Sequence, residues 1–260
     1  MDQARFTESI KIKKISESAK EGVFEVEGLF KGYGVMIGNA LRRVLLSSLP
    51  GASITQIKIK GVSHEFTTLP DVLEDVVEIV LNIKRIRLRI HTDEPQVLTL
   101  RVKGEKKVTA ADIETNSNVD VVTPEAHIAT LTAKKAELDM ELTVDKGFGY
   151  VPVDQRKMEK LAIGVIALDG IFSPIMKVNF SVENMRVGER ADYNKVILSL
   201  ETDGSIMPSE ALQKSAKILQ DHFAKVAEVE VAKIEPAVKP EEAPKKERKP
   251  RVKKVKTEEQ

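Results

Sequence analysis

The stretch FKGYGVMIGNALRRVLLSSLPG, residues 30–51, decides how this chain is read. Its apolar residues recur at helical spacing from Val35 to Leu49, and Pro50-Gly51 stops the run. At 100° per residue, Met36, Ile37, Ala40, Leu41, Val44, Leu45 and Leu49 occupy an arc of roughly 220°, about twice the stripe that a surface helix needs. One sheet cannot cover that arc. The polar remainder gathers Asn39, Arg42 and Arg43 on the opposite side. Two readings fit: a fully buried helix with solvated arginines, or a helix whose apolar sectors face its own sheet and another subunit while the arginines meet a third surface.

Just upstream, Gly32, Gly34 and Gly38 precede and enter the helix. A Gly-x-Gly before a helix can present backbone N–H groups to phosphate, so one alternative is a stand-alone dimeric enzyme binding a nucleotide at this turn. The context disagrees, because no parallel βαβ unit follows and the next strand ends in Lys60 where an acidic ribose ligand is expected. The competing reading is a tight turn and a close backbone approach.

Far downstream, a second long helix starts at Pro208, a favoured first-turn residue, and runs to about Val229. Within it Leu212, Ala216, Leu219, Phe223 and Val226 repeat at 4-3-4-3 spacing, the seam of a helix pair. Two heptads are too few for an autonomous coiled coil. With the over-apolar first helix they suit a symmetric dimer, although a single helix lying on its own sheet has the same periodicity. A third helix is expected over Val72–Ile83, with Asp71, Glu74 and Asp75 in its first turn and Lys84-Arg85 after its end. Glu74, Asp75 and Glu78 there read as solvated carboxylates on one face.

Strands dominate the rest. Apolar–polar alternation marks Ile10–Ile15, Val23–Phe30, Ile54–Lys60, Ile86–Ile90, Val97–Val102, His127–Thr132, Leu138–Val144, Ile175–Val182 and Val196–Glu201. Strands and helices do not alternate regularly, so the class is α+β. Helix-bearing segments near both ends flank a strand-rich middle, as when one domain is inserted into another. Gly147-Phe148-Gly149-Tyr150 reads as a strand-end turn.

Charge separates the chain into unlike parts. The 260 residues carry 41 Lys+Arg and 40 Asp+Glu, but residues 231–260 alone hold 10 basic and 6 acidic residues, four prolines and no aromatic. Such a segment buries too little apolar surface to offset its ordering entropy and reads as a disordered tail. Its block Lys245–Lys256 suits either solubility or nonspecific contact with DNA. The first 230 residues hold 31 basic and 34 acidic residues, which argues against a general nucleic-acid grip. No apolar run spans a bilayer and no signal peptide opens the chain, so a cytoplasmic protein without membrane contact is expected. Without cysteine there is no disulfide, thiolate zinc site or thiol nucleophile. His64, His91, His127 and His222 stand isolated along the sequence, and no acidic cluster of the kind that holds two Mg²⁺ is visible. Catalytic, cofactor-binding and metal-ligating residues are therefore not expected in this chain.

Residues 30–51 resemble the most characteristic segment of the bacterial-type RNA polymerase alpha subunit. Further segments agree in order: KGVSHEFTTLPDVLEDVVEIVLNIKRI from Lys60, VTAADI from Val108, GYVPV from Gly149, and FSPIMKVNFSVENMRVGERADYNKVILSLETDGSI from Phe172. The resemblance covers about residues 5–230. It implies a dimerisation domain from residues 1–50 plus 172–232, an inserted β-rich domain from 51–171, and a tail over 233–260.

It also implies a homodimeric scaffold that contacts the beta and beta-prime subunits of a nucleoid-associated polymerase, whose Mg²⁺ belongs to another chain. Ile37, Leu41, Val44 and Leu45 match the family's dimer-forming positions, as do Leu212, Ala216, Leu219, Phe223 and Val226. Arg43 matches the beta-contact position, with Asn39, Arg42 and Ser47 beside it. His64, Glu65, Glu74 and Lys84 match a second surface facing a large subunit. Two departures stand out: Val35-Met36 replaces a usual His-Thr pair, and the charged tail stands where the family usually carries a helical domain for promoter DNA and activators.

Overall fold

A computed structural model gives the fold of residues 10–156, 162, 164–188 and 190–229; the tail expected over 233–260 lies outside the described residues. Along the chain come β1 (Lys11–Glu17), β2 (Glu21–Leu29), α1 (Tyr33–Ser47), β3 (Pro50–Ile59), α2 (Val76–Ile83), β4 (Leu88–Ile90), β5 (Gln96–Lys103), β6 (Lys106–Thr109) and β7 (Ile113–Glu114). Then follow β8 (Val119–Val121), β9 (His127–Leu131), β10 (Glu137–Phe148), β11 (Tyr150–Val151), β12 (Val165–Ala167), β13 (Gly170–Ile171), β14 (Ile175–Val187), β15 (Arg190–Thr202) and α3 (Pro208–Ala227). The class is α+β, as the irregular order of elements requires.

The first sheet draws its strands from both ends of the chain, in the antiparallel order β1-β2-β15-β14. Val26 lies opposite Val196 and Phe24 opposite Leu198, which in turn faces Phe180. Both long helices pack here. Phe24, Leu198, Leu200, Ile175 and Val178 meet Leu41, Leu45 and Leu49 from the α1 segment and Ala211 from α3. The middle of the chain forms a second sheet, ordered β12-β3-β10-β5-β7. Its spine is β10, where Leu138, Met140, Leu142 and Val144 are all buried and the intervening residues turn outward, as the alternation predicts. Met140 lies between Ile59 and Leu100. Helix α2 buries Val76, Ile79, Val80 and Ile83 against this second core.

Element boundaries differ from expectation for identifiable reasons. Helix α1 begins at Tyr33, because Gly32 at φ 87° forms its left-handed N-cap. It ends at Ser47, and Leu49 stays buried outside the helix because the residue before Pro50 is driven to extended backbone. Helix α2 begins four residues later than the predicted Val72. Asp71 has φ 60°, Val72 bridges to Leu131, and Asp75 becomes the N-cap by accepting the Glu78 N–H at 2.7 Å. The strands β7, β8, β11, β12 and β13 are two or three residues long, too short to show alternation in sequence.

Phe172 marks the join between the two sheets. A β-carbon on Gly170 would come within 2.3 Å of its ring, one on Gly147 within 2.8 Å, and one on Gly51 within 1.8 Å of its carbonyl oxygen. Three glycines thus make room for one buried aromatic. Across the same join, Arg89 Nε donates to the Ser205 carbonyl at 2.7 Å, tying β4 to the turn before α3.

Candidate functional site

Helix α1 presents two faces. Gly34, Gly38, Leu41 and Leu45 are buried inward, while Asn39, Arg42, Arg43, Leu46 and Ser47 are exposed. The glycines explain how closely the helix lies on its sheet. A β-carbon on Gly34 would approach Val182 Cγ1 at 2.8 Å, and one on Gly38 would approach the Phe180 ring at 2.5 Å. The Gly32 N–H donates to Asn194 Oδ1 at 2.8 Å, and Asn194 in turn donates from Nδ2 to Asn184 Oδ1 at 3.2 Å. The Gly32 amide is spent inside the protomer and the two helical glycines are packed against side chains, which leaves the nucleotide-binding alternative without support.

The outward face of α1 is cationic. Neither the Arg42 nor the Arg43 guanidinium has an ion-pair partner among the described residues. Ser47 Oγ donates back to the Arg43 carbonyl at 2.8 Å, which ties this hydroxyl to its own helix. The charge of two adjacent arginines, with Leu46 and Met36 exposed on the same helix, is the pattern of a protein-docking surface rather than of a reaction centre.

The residues expected at a dimer interface divide. Leu41 and Leu45 fill the protomer's own core, at 8% and 0% exposure, because the inward sector of α1 contains them. Both side chains are spent on the protomer's own core. Ile37 and Val44 are half-buried, as are Leu212 and Leu219, which pack on the same core. Helix α3 meets its own protomer along Pro208, Ala211 and Ser215, one position round from the predicted seam. Ala216, Phe223 and Val226 are left exposed, as is every residue from Gln220 to Val229.

The second predicted surface is more strongly built than the sequence suggests. The segment through His64 and Glu65 is exposed, with Thr67 Oγ1 donating to the His64 carbonyl at 2.8 Å. Glu74, read as a solvated carboxylate, instead accepts from the Thr130 N–H at 2.6 Å and the Thr130 hydroxyl at 3.0 Å and meets His127 Nε2 at 2.8 Å. Burial raises its carboxyl pKa, but these hydrogen bonds outweigh that and hold it below the usual range. Its side chain is only 12% exposed, so Glu74 braces the loop instead of presenting its carboxylate outward. Leu73 N–H to Thr130 and Thr132 N–H to Asp71 complete the strap. Lys84 is likewise engaged, at 2.9 Å from Asp169. The ammonium and the Val153 N–H hold the Asp169 carboxyl low, and the Tyr150 hydroxyl helps.

The histidines are isolated only in sequence. His91 faces Asp120 at 2.8 Å, His127 meets Glu74, and His222 Nδ1 lies 2.7 Å from the Ile218 carbonyl. Sequence reasoning also missed exposed apolar groups: Phe66 and Leu73 on the strapped loop are 80% and 72% exposed, and Phe148 and Tyr150 about 60%. No pattern distinguishes such residues from core positions in a strand-rich chain.

Comparison with known proteins now decides the family. The alpha subunit of DNA-directed RNA polymerase from Symbiobacterium thermophilum is 52% identical over 209 residues, covering 80% of this chain and 66% of that protein. The Alkaliphilus oremlandii alpha subunit is 47% identical over 214 residues, 82% of this chain and 67% of its own length. The chain belongs to the RNA polymerase alpha-subunit family. A further relative, the alpha subunit of Moorella thermoacetica, is 53% identical over 204 residues, 78% of this chain and 65% of that protein. The match therefore spans about two thirds of these alpha subunits' length. The family model of the RNA polymerase Rpb3/RpoA insert domain matches residues 57–173, a stretch that holds the whole of the second sheet except the first part of β3. No helix among the described residues is long and apolar enough to cross a membrane.

Proposed function

We propose that this chain is the non-catalytic assembly subunit of a cytoplasmic DNA-directed RNA polymerase, acting as a homodimer that captures the beta and beta-prime subunits. Residues 1–50 plus 172–232 serve as the dimerisation domain and residues 51–171 as an inserted domain. The observation that carries this reading is the second half of α3 with the residues just past its end: Phe223, Val226 and, beyond the helix, Val229 are apolar and at least 65% exposed, and no described residue of the protomer covers them. A helix end of that kind is stable when a second copy buries it. Arg42 and Arg43, unpaired on the outer face of α1, suit a carboxylate-bearing partner, since Arg presents a planar fork to carboxylates. Mg²⁺ and ribonucleotide chemistry reside in the large subunits, and the tail serves at most for nonspecific DNA contact.

The test is to mix the purified chain with the beta subunit of the same source and measure complex formation by size exclusion with light scattering. A dimer that binds beta, and an Arg43→Ala dimer that binds it at least tenfold more weakly, is expected. A monomeric chain, or a dimer indifferent to both large subunits, would overturn the proposal.

A further inference from the structure

The two predicted partner-facing surfaces, one around Arg43 on α1 and the other around Lys84 after α2, come from different units of the fold. The turn from β10 to β11 lies between them. At its apex Gly149 has φ 58°, and a β-carbon there would lie 3.5 Å from the Ser47 carbonyl at the end of α1. The Gly149 carbonyl accepts the N–H groups of Phe172 and Ser173 at 2.8 and 3.1 Å, so the turn is clamped to the join between the sheets. On its far side the Tyr150 hydroxyl stands beside Asp169, the partner of Lys84. The turn thus bridges both surfaces.

Its two aromatic side chains are nevertheless uncovered, Phe148 at 60% and Tyr150 at 61% exposure. Two large aromatics flank a turn whose apex packs at the Ser47 end of α1, one helical turn from Arg43; rings on a fixed backbone are the usual anchors of a protein interface, and cations on the adjoining element set the partner's charge. We infer that Phe148 and Tyr150 are anchor residues for the same large partner that docks on Arg43, and that the occupant is an acidic segment of that polypeptide carrying apolar side chains. Charge complementarity selects it: Arg42 and Arg43, without ion-pair partners among the described residues, call for carboxylates, and the exposed aromatic pair calls for apolar surface. The inference rests on the proposed docking of a large subunit at α1. It adds that the inserted unit shares in the capture, so recognition reads the relative placement of the two units.

The experiment uses the full chain, the purified beta subunit of the same source, and a labelled single-stranded DNA oligonucleotide. Phe148→Ser with Tyr150→Ser should weaken beta binding by about tenfold or more, with dimer mass and thermal melting unchanged because neither ring is part of a core. Tyr150→Phe, which retains the ring and loses only the hydroxyl near Asp169, should bind as the parent does. Should the double variant misfold, hydroxyl-radical footprinting replaces it: both rings should be oxidised in the free dimer and protected in the complex. Parent-like beta binding by a folded double variant while Arg43→Ala binds weakly, or unprotected rings, overturns the aromatic anchor and leaves the docking reading intact. Failure of the unmodified dimer to bind beta at all overturns the docking reading itself. Loss of oligonucleotide binding with beta binding unchanged also overturns the inference, by assigning the rings to nucleic acid.

Discussion

The Phe180 ring occupies the space that a β-carbon on Gly38 would need: the separation from Cδ2 would be 2.5 Å. This contact sets the distance between α1 and its sheet, and through it the position at which Arg42 and Arg43 are displayed on the opposite face.

Gly38→Ala should therefore lower stability by about 1–3 kcal/mol through overpacking, even though alanine is the better helix former by about 1 kcal/mol. Urea unfolding followed by circular dichroism measures it. Adding Phe180→Leu to the variant should recover part of the loss. A Gly38→Ala protein more stable than the parent would show that helix propensity outweighs the contact.

Glu17, at the end of β1, accepts from Lys14 Nζ at 2.8 Å and from the Ser209 N–H at 2.8 Å, and so caps α3 from another element. Met207 at the N-cap supplies no side-chain hydrogen bond. The Lys14 ammonium first, and then Ser209, lower the Glu17 carboxyl from 4.5 to about 2. Because the folded value is depressed, the stabilisation is complete above about 4.5 and disappears as pH falls towards about 2. Glu17→Gln should shift the urea midpoint most near neutral pH and converge with the parent near pH 2 to 3 (about the folded value). A constant offset across that window would mean that the charge does not act.

Glu74→Ala should release the loop through His64 from β9. It removes three hydrogen bonds to a mostly covered carboxylate, so a loss of about 2 kcal/mol is expected. Hydrogen exchange at the Leu73 and Thr130 amides should accelerate before exchange in β10. Unchanged protection at those amides would remove Glu74 as the brace.

Phe223→Glu with Val226→Glu should give monomers, because charges at a buried seam are costly to desolvate. Both residues are exposed in the protomer, so its thermal melting should change little beyond the loss of dimer linkage. Sedimentation velocity over a range of concentrations reads the outcome, and a persistent dimer would exclude this seam. Leu219 is the poorer probe, because it already packs on its own core.

Much of the fold is written in local pattern. The alternation of Leu138, Met140, Leu142 and Val144 specifies a half-buried strand whatever surrounds it, and β10 forms there. Pro50 and Pro208 place a helix stop and a helix start through their fixed φ and missing N–H. Periodicity also showed that α1 carries more apolar surface than one sheet can cover, and residues 30–51 carried the family likeness.

What periodicity could not assign was which neighbour each apolar residue would meet. Leu41 and Leu45 look like interface residues on a helical wheel, yet they lie in the protomer's core, because Gly34 and Gly38 let α1 approach the sheet on that side. Glu74 and His127 are 53 residues apart and look solvated or isolated until β9 and the loop before α2 come together. The turn at Gly149 joins the Arg43 and Lys84 surfaces only because Ser47 and Asp169 arrive on its two sides from distant parts of the chain. The sequence by itself determined the element types and the family, since both depend on short-range order along the chain. Which faces are spent internally and which remain for partners was decided by tertiary structure, because burial depends on every element that packs against a residue and not on its neighbours in sequence.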